Sequence, residues 1–109
     1  MPYRQLEHWG VSLWRFIHTV CIIDFDTPEE NTRHNTYAMN CLTNLTLAIP
    51  CYYCRQEWSD AILDLHLLNM AQPMVLFEWS WKFHNKINAK LNKPEMSYDD
   101  ALILYTRKI

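Results

Sequence analysis

Gly10 is the only glycine in this chain of 109 residues, and that scarcity constrains the fold more than any other feature. Average usage would supply about 7% glycine. Tight hairpins and phosphate-cradling loops lean on glycine because it reaches positive φ without a steric penalty. A dinucleotide-binding βαβ unit or a P-loop is therefore excluded, since its glycines are missing. Leu occurs 13 times against 3 Val, a balance that favours helix over sheet. The sequence predicts an all-α protein.

The prolines punctuate it. Thr27-Pro28-Glu29-Glu30 reads as a helix start, with Thr27 as N-cap, Pro28 at the first helical position and Glu30 closing a capping box. Pro50 and Pro73 suit the same first-turn position, and Pro94 ends a long periodic segment. Ser97-Tyr98-Asp99-Asp100 resembles the start of a last short helix, with the acidic pair as helix-start charge. Five helical pieces follow, over about 9–23, 29–48, 51–63, 74–92 and 98–107. Trp14, Ile17, His18 and Cys21 share one face of the first; Tyr37, Cys41, Leu45 and Ala48 share one face of the second. Short connections make consecutive helices antiparallel neighbours, giving a four-helix bundle with an appended fifth helix. Residues 1–109 read as a single domain.

Charge and hydropathy narrow the class. Ten Lys and Arg against 12 Asp and Glu leave a formal net charge of −2, without the basic footprint of a nucleic-acid binder. Half the residues are apolar, enough for a core and well clear of disorder. No apolar run approaches the roughly 18 residues of a spanning helix, and no signal peptide opens the chain. We expect no membrane partner, no nucleic acid and a cytoplasmic setting.

Chemistry concentrates at Cys51-Tyr52-Tyr53-Cys54. Pro50 starts a helix here, so Cys51 lies in its first turn, where the helix dipole favours a thiolate. A thioredoxin fold would place a βαβ pattern around this motif, and none is visible. Three readings stay open: a redox disulfide beside a cofactor, half of a zinc site completed by His18 and His84, or buried structural thiols. In the fourth segment, His84, Asn88 and Leu91 stack on one helical face near Trp81 and Asn85. Polar side chains on an inward face need partners. His18, one turn from Trp14, poses the same problem. Together these residues outline a polar site for a planar ligand between helices.

The string His84-Asn85-Lys86-Ile87-Asn88-Ala89-Lys90-Leu91-Asn92-Lys93-Pro94 resembles the H-N-x-V-N-x-x-L-x-K-P signature of the Erv/ALR flavin-linked sulfhydryl oxidases. His8-Trp9-Gly10 through Trp14 to His18 is similar to the family's G-x-x-x-W-x-x-x-H opening, and to the compact viral members in beginning H-W-G. Pro50 to Cys54 supplies the P-C-x-x-C between them. The three motifs stand in family order over about 8–98.

The resemblance implies FAD at the mouth of a four-helix bundle, in a homodimer. It assigns cofactor contacts to Gly10, Trp14, His18, His84, Asn85, Asn88, Leu91, Lys93 and Tyr98. Cys51 and Cys54 become the redox disulfide, with Tyr52 and Tyr53 as further contacts. Lys93 suits the diphosphate, since an ammonium screens phosphate charge. Many cellular members carry a structural disulfide at positions that here hold Trp81 and Tyr98, where an aromatic contact would stand in for it. No shuttle cysteine pair is seen in either tail. Cys21 and Cys41 read as small hydrophobes on core-facing positions, with a bridge between the two helices as the alternative; Trp58 and Trp79 read as core.

The expected activity is thiol oxidation. A dithiol in a substrate protein, or in a thioredoxin-like relay partner, is oxidised, with electrons passing through FAD to oxygen to give hydrogen peroxide. A virion or host cytoplasm fits the viral likeness. The contrasting readings are a zinc-stabilised Cys2His2 interaction module and a family fold that has lost turnover. Phe16, Val20, Ile23, Met39 and Leu42 lie off the core stripes and are expected to form the dimer surface.

Overall fold

The computed structural model describes the backbone at residues 2–22, 25–48 and 52–106, and side chains at residues 10–22, 25–45 and 56–106. Its elements are α1 (Pro2–Cys21), α2 (Pro28–Ala48), α3 (Tyr52–Leu65), α4 (Val75–Lys90) and α5 (Tyr98–Thr106). Every regular element among the described residues is helical. α1 packs against α2 and α4, and α3 packs against α2 and α4, closing a four-helix bundle; α5 lies across α1 and α4.

Local chemistry sets the starts. Thr27 Oγ1 accepts the Glu30 N–H at 3.2 Å, and Pro28 stands first in α2. Ser97 Oγ accepts the Asp100 N–H at 3.1 Å and opens α5 on two acidic residues. Pro73 does not begin α4: Met74 intervenes as N-cap with φ 61°, a left-handed conformation that a non-glycine residue adopts only at a cost. Pro50 lies outside the described residues.

The core joins Ile17 and Cys21 of α1, Ala38 and Leu42 of α2, Trp58, Ala61, Ile62 and Leu65 of α3, and Val75, Leu76, Trp79 and Phe83 of α4. The predicted stripe of α1 is the buried one, with Trp14 packed on its edge. Trp58 and Trp79 are core as expected. The Trp79 indole keeps its donor satisfied by bonding the Ala61 carbonyl at 2.9 Å.

The stripe of α2 is corrected in part: Leu45 packs against the core as expected, the side chain of Ala48 lies outside the described residues, and the first two members are one position off. Tyr37 is 68% exposed and Cys41 is exposed, whereas Ala38 and Leu42 are buried. The cause is two asparagines leading the buried face. Asn31 Oδ1 accepts the Phe25 N–H at 2.8 Å, and Asn35 Nδ2 donates to the Met70 carbonyl at 2.8 Å. Hydrogen bonding lets Asn31 Oδ1 and Asn35 Nδ2 sit inside, while Asn35 Oδ1 is buried without a hydrogen-bond partner among the described residues. Cys21 is buried and Cys41 exposed, both free, so no bridge joins them. The expected dimer patch changes too. Leu42 belongs to the core, Val20 and Met39 pack half-buried against it, and Phe16 is exposed. Ile23 lies outside the described residues.

Candidate functional site

The α1 stripe and the α4 stripe face each other across the bundle, and their polar members meet. His18 Nε2 lies 2.9 Å from His84 Nδ1, and His18 Nδ1 lies 2.9 Å from Ser80 Oγ. Ser80 Oγ in turn donates to the Phe77 carbonyl at 2.8 Å. Trp14 covers this pair. Its ring stacks on His84 with centroids 4.0 Å apart and planes within 8°. Phe83 meets the other side of the Trp14 neighbourhood edge-on at 5.3 Å.

These side chains back a cavity of about 300 Å³ lined by Gly10, Val11, Trp14, His84, Ile87, Asn88, Leu91, Lys93 and Tyr105. Gly10 is buried inside α1, where a glycine costs about 1 kcal/mol of helix propensity against alanine. With no Cβ, it offers bare backbone to the cavity wall. The far rim is built by the end of α4. Asn92 takes φ 58°, its N–H bonds the Ala89 carbonyl at 3.2 Å, and the Lys93 N–H bonds the Asn88 carbonyl at 2.8 Å. This is a Schellman termination with asparagine in the left-handed position, and it fixes the backbone of Lys93 beside the cavity.

The electrostatics follow from burial. Burial pushes His18 down to about 3, with His84 adding a smaller effect. Burial also pushes His84 down to about 4, helped by the nearby Lys93 charge. Both rings are therefore neutral at pH 7. Burial raises the Tyr105 hydroxyl above its ordinary value, and Arg15 partly offsets this. The site offers flat aromatic walls, neutral nitrogen groups and a cation at the rim.

Of the nine residues assigned to a cofactor, Gly10, Trp14, His84, Asn88, Leu91 and Lys93 line one cavity. His18 stands behind it. Asn85 is engaged elsewhere: Nδ2 donates to the Met96 carbonyl at 2.7 Å, and Oδ1 accepts the Met96 N–H at 2.9 Å. Tyr98 packs edge-to-face on Phe77 and Trp81. Sequence reasoning missed Val11, Ile87 and Tyr105. Tyr105 reaches the wall through the packing of α5 on α1 and α4, which no local signal carries. Cys51 lies outside the described residues; Cys54 falls within α3, with its side chain outside them.

A larger hollow of about 490 Å³ opens between the end of α3 and α4, beside Leu67, Gln72, Trp79 and Lys82. Of the motif string it includes Lys86, at a variable position, and it includes none of the residues assigned to the cofactor. The smaller cavity is the better site because perturbed titratable groups and aromatic walls coincide there. The zinc reading fares poorly beside it. His18 Nε2 and His84 Nδ1 share a proton at 2.9 Å, closer than the roughly 3.3 Å between two nitrogens of a tetrahedral ion with bonds of about 2.0–2.1 Å.

Fold and site together define a helical bundle with an aromatic-walled, mostly apolar cavity between α1 and the end of α4. The sequence model of the Erv1 / Alr family matches residues 11–106, and the chain belongs to that family. It is 28% identical over 102 residues to an FAD-linked sulfhydryl oxidase of African swine fever virus (isolate Tick/Malawi/Lil 20-1/1983), covering 94% of this chain and 83% of the relative. A putative FAD-linked sulfhydryl oxidase 096R of Invertebrate iridescent virus 3 is 30% identical over 82% of this chain and 60% of its own length. The FAD-linked sulfhydryl oxidase erv2 of Schizosaccharomyces pombe is 28% identical over 81% of this chain and 44% of its own length. No solved structure matches.

Proposed function

We propose that this chain is an FAD-dependent sulfhydryl oxidase that makes disulfides through Cys51 and Cys54. The observation that carries the reading is one cavity lined by six of the residues assigned to the cofactor from the two flanking motifs. The residues present fit the cofactor. Trp14 and His84 give a planar wall, Gly10 gives bare backbone, and Lys93 gives a cation for a diphosphate. Bound flavin supplies a two-electron acceptor that returns its electrons to oxygen, yielding hydrogen peroxide.

The chain's own part is thiol exchange. A substrate thiolate attacks Cys51 of the Cys51–Cys54 disulfide, forming a mixed disulfide and releasing Cys54 as thiolate. The second substrate thiol then displaces Cys51, leaving an oxidised substrate and two reduced cysteines. The motif leads into α3, whose N-terminal dipole favours the leaving thiolate. Substrates are thiol-bearing proteins or a thioredoxin-like relay. The working unit is a homodimer through exposed Phe16 of α1 and Tyr37 of α2. No helix among the described residues is long and apolar enough to cross a membrane, and a cytoplasmic or virion setting accords with the viral relatives.

The test is direct. Purified protein should carry a flavin absorption spectrum and oxidise dithiothreitol with oxygen consumption. Cys51→Ser and Cys54→Ser should keep the flavin and lose the oxidation. A colourless protein, or turnover surviving in either variant, defeats the reading.

A further inference from the structure

The hydrogen-bond chain behind the cavity has a direction, and its buried end sets it. Ser80 is fully buried, and its hydroxyl donates to the Phe77 carbonyl. A hydroxyl has one hydrogen, so Ser80 Oγ can only accept from its other neighbours. The His18 Nδ1 at 2.9 Å must then carry the proton. The reverse polarity would leave Ser80 Oγ and the Phe77 oxygen 2.8 Å apart with only lone pairs between them.

The argument runs outward from there. His18 is buried and uncharged at neutral pH, so one proton on Nδ1 leaves Nε2 bare. His84 Nδ1, 2.9 Å away, must be the donor in that contact. His84 is also neutral, so its remaining nitrogen, Nε2, is a bare acceptor on a ring that lines the cavity.

We propose that Ser80 and His18 are positioning residues that lock the His84 tautomer, so that the cavity meets its ligand with an acceptor and takes a group that donates, an amine or hydroxyl. The identity of that ligand as FAD rests on the function proposed above; the direction of the chain does not. Neither Ser80 nor His18 lines the cavity, so both act through His84.

The measurement is long-range proton–nitrogen correlation NMR on the full chain, 15N-labelled, at pH 7. Both His18 and His84 should be protonated at Nδ1 and bare at Nε2. In Ser80→Ala the Nδ1–H state of His18 should be lost, and FAD affinity by fluorescence titration should fall at least tenfold. Ser80→Thr, which restores a hydroxyl, should recover both. A proton on His84 Nε2 in the unmodified chain overturns the proposal, as do unchanged tautomers in Ser80→Ala. If Ser80→Ala does not fold, the tautomers of the unmodified chain decide. An unmodified chain with both expected tautomers but no FAD uptake supports the directed chain and defeats the oxidase reading.

Discussion

Trp81 and Tyr98 meet edge-to-face, ring centroids 5.4 Å apart and planes at 84°, and so fasten α4 to α5. The Trp81 indole also donates to the Met96 carbonyl at 2.7 Å. Resemblance to the family's cellular members places a disulfide at these two positions, and here an aromatic contact holds the same joint. Such a pair contributes roughly 0.5–1.5 kcal/mol beyond area burial, against about 2–4 for a disulfide. Trp81→Ala should lower stability by about 2–3 kcal/mol, below the range for a fully buried tryptophan because Trp81 is half-buried. Urea unfolding checks this. A loss under about 0.5 kcal/mol would mean the joint is held elsewhere.

Asn85 and Asn88 stand three residues apart in α4, yet the structure gives them different work. Asn85 uses both ends of its amide on the Met96 backbone, whereas Asn88 lines the cavity. Asn85→Ala strands the Met96 N–H, while the Met96 carbonyl keeps the Trp81 indole, and should cost about 1–3 kcal/mol of stability. Asn88→Ala should stay within about 0.5 kcal/mol in stability while weakening flavin retention. Thermal melts with and without added FAD separate the two. Equal stability loss in both variants would contradict this division.

The helices and most of the cavity were legible because their signals are local. Thr27-Pro28 and Ser97 are caps whose partners lie three residues on. The face of α2 was not legible. Its register depends on Asn31 and Asn35 finding Phe25 and Met70, contacts that apolar periodicity scores as solvent. The same limit misassigned Leu42 to a dimer surface and Cys41 to the core. Asn85 shared the cavity residues' motif and helical spacing, but its backbone partner on the following loop carries no sequence pattern. Tyr105 joins the wall only because α5 folds back across α1 and α4.

Asn92 should be sensitive to shape more than to polarity. Its φ of 58° terminates α4 and sets the backbone of Lys93. Asn92→Ala, which keeps a Cβ and loses the residue's tolerance for this conformation, should cost about 1 kcal/mol. Asn92→Gly should match or exceed the parent in stability. FAD affinity should fall with Ala and hold with Gly, because the lysine follows the turn. Denaturant midpoints and flavin titrations give both readings, and a glycine variant weaker than the alanine one would sink the idea.

The buried histidine pair predicts how the fold answers acid. His18 sits near 3 and His84 near 4 in the folded chain, both because burial disfavours the charged ring. An unfolded histidine titrates near its ordinary value of about 6.5. Between these limits the unfolded chain binds two protons that the folded chain does not, so stability rises with pH and is lost as pH falls below about 6.5. The charges around the pair are those of Lys93 at the rim and Arg15 beside Tyr105. Glu57, whose carboxyl its hydrogen bond to Lys90 holds below the ordinary value, contributes only further into acid. Near pH 5 the two histidines alone should steepen the loss to about 2.7 kcal/mol per pH unit, about 1.36 for each proton. Removing one of them in His84→Gln should halve that slope. Urea midpoints at pH 7, 6 and 5 on both proteins measure it. Stability that stays flat from pH 7 to 5, or falls equally in the variant, would show that the rings take up protons without unfolding.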